Sequence, residues 1–259
     1  MTNNQPAPGP EITTKAKRIA IFSDIHANFH ALEAVMEAIS KENADLLICC
    51  GDIVGYGARP NECVDLVRKH KIPVIAGNHD HAALMLTDIS NFNDIAKAAV
   101  IWTRDVLTEE NVQFLRQMPL TISDTANNIF YVHASPRDPG QWNYILTMGE
   151  ARTNFNYFTQ QVCFIGHSHQ PFIIENDNGM LVCPTKPEVQ IAPGRRYLVN
   201  VGSVGQPRDH NWRACYVIWD TESGKLEIKR TEYDLPAAQQ AIMQAALPRE
   251  LAERLAHGM

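Results

Sequence analysis

Basic residues are scarce for a chain of this size. Lysine and arginine number 23 against 29 acidic residues, a formal net charge of -6. That balance gives no general pull toward nucleic acid or an anionic membrane. No extended Lys/Arg tract offers a track for many backbone phosphates, so a nuclease is disfavoured. Long apolar runs are missing as well. None reaches the roughly 18 residues of a membrane span. The opening MTNNQPAPGPEITTKAK has no apolar segment and does not read as a signal peptide. Cys49, Cys50, Cys63, Cys163, Cys183 and Cys215 form no CxxC pair. This argues against a disulfide scaffold and against a zinc–thiolate site. Most of them lie in apolar runs, where buried free thiols are common. A G-x-S-x-G elbow is also absent, which excludes the α/β-hydrolase reading. What these absences leave is a soluble, cytoplasmic chain. Its 259 residues are 45% hydrophobic, enough for one large core.

Patterning divides the chain into a Pro/Asn/Thr-rich tail over 1–17, a body over 18–235 and an Ala/Gln-rich helical tail over 236–259 broken at Pro248. Arg18 to Phe22, Leu46 to Cys50 and Ile72 to Ala76 read as core strands separated by helices. Leu32, Val35, Met36 and Ile39 recur at helical spacing after the candidate N-cap Asn28. Pro60 opens the second helix near N1. This is a βαβαβ start with right-handed crossovers. Residues 81–119 change texture and read as a helical insertion beside the body, with helices over 91–105 and 108–118. Ile129 to Val132 and Val162 to Ile165 return to strand. Phe172 to Ile174 and Met180 to Cys183 flank the turn residues Asn176-Asp177-Asn178-Gly179 as a hairpin. Tyr197 to Val201, Cys215 to Trp219 and Leu226 to Lys229 read as a further sheet. The expected fold is α/β: a layered sandwich of two mixed sheets flanked by helices.

The chemistry collects where the apolar runs stop. They end in Asp24-Ile25-His26, in Gly51-Asp52, in Gly77-Asn78-His79-Asp80, in His133 and in Gly166-His167-Ser168-His169. A lone histidine at a strand end is more often simply hydrogen bonded. The ordered set is different. Asp24, His26, Asp52, Asn78, His133, His167 and His169 are oxygen and nitrogen ligands suited to divalent cations. Gathering carboxylates and imidazoles at one sheet edge is costly without a cation. Seven ligands exceed one tetrahedral zinc and suit two metals with a shared carboxylate. Gly51, Gly77 and Gly166 permit turns and close approach beside them. Arg137 and Arg208 sit in Pro-flanked loops at the same end. Each is a candidate phosphate clamp, or a partner of Asp138 or Asp209 that fixes its loop. Tyr56 is a candidate pocket wall. Trp142, Tyr144, Phe155 and Tyr157 could stack a nucleobase, although such residues are more often core.

DxH, GD, GNHD, a strand-ending His and GHSH in this order resemble the calcineurin-like metallophosphoesterase superfamily. The chain is most similar to its small prokaryotic phosphoesterases with a GDIVGYG loop, an H-x-SPRDP segment and a GSVGQPR segment. The likeness spans Arg18 to about Lys229. It implies one metal on Asp24, His26, Asp52 and His169, and a second on Asp52, Asn78, His133 and His167. Asp52 would bridge two divalent ions (Mn, Fe, Ni, Zn or Co). It further implies hydrolysis of a small phosphoester or nucleotide-like substrate, as phosphatase or phosphodiesterase. A hydroxide bridging the metals would attack in line, His79 would assist the leaving group and Asp80 would orient His79. Eukaryotic-type protein phosphatases of the superfamily read GNHE, not GNHD, which makes that activity a weaker option. Relatives usually read HGS and NPGS where this chain has His133-Ala134-Ser135 and Asn200-Val201-Gly202-Ser203. Those departures touch the substrate pocket and remove no ligand. The non-enzymatic alternative is a metal-binding scaffold or partner-binding module that kept the fold. Such proteins often lose ligands, and here all are present. Nothing in the sequence sets the oligomeric state.

Overall fold

The computed structural model describes residues 9–259. The chain opens with a short strand β1 (Glu11–Ile12) and the core strand β2 (Arg18–Phe22), followed by α1 (Phe29–Ser40), β3 (Leu46–Cys49) and α2 (Pro60–Lys69). Three helices come next, α3 (Asn78–Ala83), α4 (Asp94–Val106) and α5 (Glu109–Arg116). The strands β4 (Thr121–Asp124) and β5 (Ile129–Val132) precede α6 (Met148–Asn154) and β6 (Val162–Ile165). Then come β7 (Phe172–Asp177), β8 (Met180–Val182), β9 (Glu188–Gln190), β10 (Arg196–Asn200), β11 (Ala214–Asp220) and β12 (Lys225–Thr231). Two helices, α7 (Leu235–Gln244) and α8 (Arg249–His257), follow. The strands form a seven-stranded sheet ordered β1-β4-β5-β6-β10-β7-β8 and a five-stranded sheet ordered β3-β2-β11-β12-β9. Both contain parallel and antiparallel neighbours.

Period-two patterning builds the layers. On β2, Ile19 and Ile21 point into a core between the sheets, where they meet Ile48, Tyr131, Phe164, Tyr197, Val217 and Trp219. Ala20 and Phe22 point the other way, onto α1, α2 and the C-terminal helices. Across the molecule Val132, Cys163, Ile165 and Leu198 turn outward against Phe155 and Phe158 near α6. The order is therefore helix, sheet, sheet, helix, as the sequence pattern predicts.

Several local expectations need correction. Ile72–Ala76 is not a full strand. Cys49 N–H donates to Pro73 C=O at 3.0 Å and Ile75 N–H to Cys49 C=O at 3.2 Å, which makes one parallel bridge. Pro73 has no N–H with which to extend it. The presumed further sheet is divided. β10 joins β6 and β7, while β11 and β12 extend β2. The tail expected over 1–17 enters the fold by Glu11, since β1 pairs with β4 and Ala16 N–H bonds to Asn127 Oδ1. Its first eight residues lie outside the described part. The helical tail also packs onto the body. Ile242, Leu251 and Leu255 are buried in the same core as α1.

Other local readings hold for stated reasons. Asn28 Oδ1 accepts Ala31 N–H at 3.1 Å as the α1 cap, and Pro60 opens α2. The β7–β8 hairpin turns on Asn178 and Gly179, at φ 50° and 94°.

Candidate active site

The loops after β2 and β3 are fastened to each other before any side chain is considered. Asp24 N–H donates to Gly51 C=O at 2.9 Å, His26 N–H to Asp52 C=O at 3.0 Å and Ala27 N–H to Ile53 C=O at 2.8 Å. Gly205 N–H, after β10, donates to Asp24 C=O at 2.9 Å, and Gly166 N–H, after β6, to His133 C=O at 2.8 Å. All the strand ends singled out in the sequence thus meet at one edge of the sandwich. Five of the seven ligand candidates, Asp24, His26, Asp52, His167 and His169, have φ between 49° and 67°. Left-handed backbone at non-glycine residues is costly, and such residues cluster at functional sites. Two glycines allow the packing. A Cβ on Gly77 would lie 2.1 Å from Asp52 Oδ1, and one on Gly166 2.4 Å from Asp24 Oδ2.

The side chains form a continuous chain of three overlapping groups: Asp24–His26–His169, His26–Asp52–His79 and Asp52–His133–His167, each with its ligand atoms within 4.8 Å. His26 and Asp52 link neighbouring groups. His26 Nε2 lies 3.6 Å from both Asp24 Oδ1 and Asp52 Oδ2. His169 Nε2 is 3.2 Å from Asp24 and His133 Nε2 is 3.3 Å from Asp52.

Each of the four ligand-candidate imidazoles is oriented by a backbone carbonyl. His26 Nδ1 donates to Val54 (3.2 Å), His133 Nδ1 to Cys50 (2.7 Å), His167 Nε2 to Trp142 (2.9 Å) and His169 Nδ1 to Gln206 (2.6 Å). Because a carbonyl only accepts, the proton is fixed on that nitrogen and the other is free to bind a cation. Such second partners are the rule for metal-ligating histidines. The Nε2 atoms of His26 and His169 then face each other at 3.0 Å. His133 Nε2 and Asn78 Oδ1 are buried with no hydrogen-bond partner. A cation among these atoms would satisfy all of them, so the donor set fits divalent metal.

The electrostatics agree. Burial works against the Asp24 and Asp52 carboxylates, yet the neighbouring imidazoles hold both well below the usual range. Burial opposes the His133 imidazolium, but Asp52 and Asp24 raise it to about 9. His167 is lowered to about 4 by burial and by His133, and His169 to about 3 by burial and by Arg208. Those two are neutral at pH 7, as ligands must be.

His79 and Asp80 depart from expectation. Both lie in the first turn of α3, which begins directly after Gly77. The Asp80 carboxylate does not orient His79. It accepts the backbone N–H groups of Asp52 (2.8 Å), Ile53 (3.0 Å), Val54 (3.2 Å) and Gly77 (2.9 Å), and so clamps the Asp52 loop to the start of α3. Burial, then repulsion from Asp52, lifts its carboxyl to about 7. His79 packs on Tyr56 and His26, at ring separations of 4.4 and 4.9 Å. Burial pulls its pKa well down against the opposing pull of Asp52, which disfavours the imidazolium.

Of the substrate candidates, Arg208 and Tyr56 reach the site and Arg137 does not. Arg208 Nη2 donates to Gln206 Oε1 at 2.9 Å and to the Tyr56 hydroxyl at 3.3 Å. Its suggested partner Asp209 pairs with Arg230 instead. Arg137 lies 3.5 Å from Asp138, over Tyr157, in an adjoining cleft with Asn143 and Glu150. The aromatic-rich stretch divides in the same way. Phe155 is core, whereas Tyr144 stacks on His167 at 4.0 Å and Trp142 meets His81 edge-on at 5.2 Å. Trp142, Tyr144, Phe92, Asn78 and His79 line a cleft of about 640 Å³. Phe92, packed on His79 at 5.2 Å, carries no sequence motif.

A family model described as the calcineurin-like phosphoesterase superfamily domain matches residues 18–224. The chain belongs to that superfamily. This phosphoesterase is 39% identical over 239 residues to an uncharacterized protein of Methanocaldococcus jannaschii, covering 92% of this chain and 96% of the relative. A metallophosphoesterase of Sphaerobacter thermophilus, known from its crystal structure, is 38% identical. Its TM-score is 0.82, covering 95% of this chain and 100% of that one. A protein of Pyrococcus horikoshii shares the fold at 23% identity and TM-score 0.74, over 93% of this chain and 98% of that one. No described helix of the phosphoesterase is long and apolar enough to cross a membrane.

Proposed function

We propose that the protein hydrolyses small phosphoesters, as a phosphatase or phosphodiesterase, with two divalent cations drawn from Mn, Fe, Ni, Zn or Co. The observation that carries this reading is the set of four imidazoles, each tied by one nitrogen to a carbonyl and presenting the other toward two buried carboxylates. Asp24, His26, Asp52 and His169 would hold one ion. Asp52, Asn78, His133 and His167 would hold the other, with Asp52 shared. When bound, such ions supply a water acidic enough to be a nucleophile near neutral pH and neutralise phosphoryl charge.

The chain's own residues do the rest. Asp80 keeps the Asp52 loop and the Asn78 turn in register. His79, lining the cleft one residue beyond a ligand, donates a hydrogen bond toward the leaving oxygen. Arg208 offers a guanidinium to a phosphoryl oxygen. The aromatic-walled cleft suits an ester of nucleotide size. Six free thiols suit a reducing, cytoplasmic setting. The scaffold alternative is disfavoured because no ligand is missing.

Elemental analysis joined to a screen of phosphomonoesters and phosphodiesters with added Mn²⁺, Ni²⁺ or Zn²⁺ tests the reading. The expected result is two cations per chain and turnover abolished by a chelator. A fully loaded protein that turns over no phosphoester would return it to the scaffold class.

A further inference from the structure

Helix α8, far from every motif read in the sequence, delivers a second guanidinium to Tyr56. Arg254 Cζ lies 6.0 Å from the Tyr56 ring centre, and Arg208 Cζ lies 5.7 Å from the same centre. Two guanidinium charges beside one ring make this position electropositive. Arg18, Arg68, Arg195 and Arg230 each reach a carboxylate. Among the described residues Arg208 and Arg254 have no Asp or Glu side chain within ion-pair distance. Arg254 Nε donates to a main-chain oxygen of Met259, the last residue of the sequence, which an incoming anion must share or displace, and Arg208 Nε is buried without a partner.

The pair is held in place from behind. Leu251 and Leu255 pack under the Tyr56 loop, lining a small cavity with Gly57, Arg59 and Gln206. His210 N–H donates to Gly258 C=O at 3.0 Å, which ties the end of α8 to the loop carrying Arg208. Tyr56 in turn touches His26 and His79, at ring separations of 4.7 and 4.4 Å.

We infer that Arg254 and Arg208, gathered on Tyr56, form a second anion-binding position beside the catalytic cluster, and that it takes a second phosphate of the same substrate. The inference rests on the phosphoesterase reading and narrows it to compounds carrying two or more phosphate groups close together. Guanidinium is the apt side chain, since it stays charged at any working pH and grips phosphate with two donors.

Calorimetric titration with inorganic pyrophosphate and with orthophosphate tests this directly, with metal content measured before and after to exclude stripping. The intact protein should bind pyrophosphate at least about tenfold more tightly than orthophosphate, the range of charge-assisted hydrogen bonds. Arg254→Gln should reduce that preference to about threefold or less and leave orthophosphate affinity unchanged. Arg254→Lys should retain part of it. Arg249→Gln, on the same helix but paired with Glu253, should change nothing. A thermal melt checks that α8 still packs in each variant, and the lysine variant stands in if the glutamine one does not fold. Equal binding of the two anions by the intact protein would overturn the proposal, as would equal weakening of both in Arg254→Gln or Arg254→Lys. A pyrophosphate preference that persists in a protein without phosphoester turnover would instead refute the catalytic reading alone.

Discussion

The two ends of the ligand cluster differ in what covers them. Asp24, His26 and His169 are 0%, 1% and 2% exposed, roofed by the loops after β3 and β10. Asn78 and His167, at the other end, are 8% and 6% exposed and face the aromatic cleft. The closed end is held by carbonyls of loops that are themselves tied to neighbouring loops. The open end takes its His167 partner from Trp142, in a connection that belongs to neither sheet. One end is built as an anchor and the other as an entrance; Tyr56 and His79 line the entrance cleft, while Arg208 rises from the loop that roofs the anchor.

The largest effect should come from the residue both ends share. Asp52→Asn should empty both cation positions and drop turnover to background. Asp24→Asn, by contrast, should cost chiefly the ion at the closed end. Cations counted per chain by elemental analysis distinguish the two, and one ion retained in Asp52→Asn would break the comparison. Next is His79→Ala. It should keep both ions and lose about 10²–10⁴-fold in rate. Because burial disfavours the imidazolium, the loss should vary little across a series of leaving groups. A loss that grows steeply for alkyl esters would show instead that His79 delivers a proton.

Asp80→Ala strands four backbone N–H groups at the junction of the two ends. It should destabilise the protein by about 3–5 kcal/mol, a fall of roughly 10 °C in a thermal melt. A near-native melt would mean that water replaces the carboxylate.

A smaller effect separates the ends by pH. His133 is raised from its ordinary 6.5 to about 9, so a cation binding there must expel its proton. Affinity should therefore climb with pH up to about 9, with proton release seen by calorimetry in buffers of different ionisation heat. The sign reverses for the chelator-treated protein. There the charged imidazole stabilises the fold fully below 6.5, and this contribution is lost as pH rises through 9. His167 and His169, lowered to about 4 and 3, should release nothing at pH 7. The smallest effect belongs to Arg137→Ala, which should leave kcat/KM within about twofold, as expected for an exposed pair in the adjoining cleft.

The gathering of the seven candidate ligands was legible because they follow five apolar runs within a few residues. The pairing of those runs was not. Arg196–Asn200 and Ala214–Asp220 look alike as buried strands, and only distant partners decide that they join different sheets. Glu11–Ile12 is too short to carry a period. The carbonyls that orient the imidazoles belong to Val54, Cys50, Trp142 and Gln206, and a main-chain acceptor leaves no mark on residue identity. Asp80 was read by its neighbour in sequence, whereas its carboxylate reaches back to residues 52–54. Arg254 had no motif, because its place depends on how α8 docks.

One pairing bears on how the molecule comes into being. β2 has β11 as its antiparallel neighbour, with Ile21 opposite Val217. During synthesis β2 must wait until β11 has been made before its sheet can close. The intervening hydrophobic segments are exposed meanwhile, and contacts so distant in sequence form slowly. Asp24 and His26 wait as well, for His167 and His169. A nascent chain released early would carry half a cluster on an open sheet edge, a form suited to aggregation and incapable of turnover.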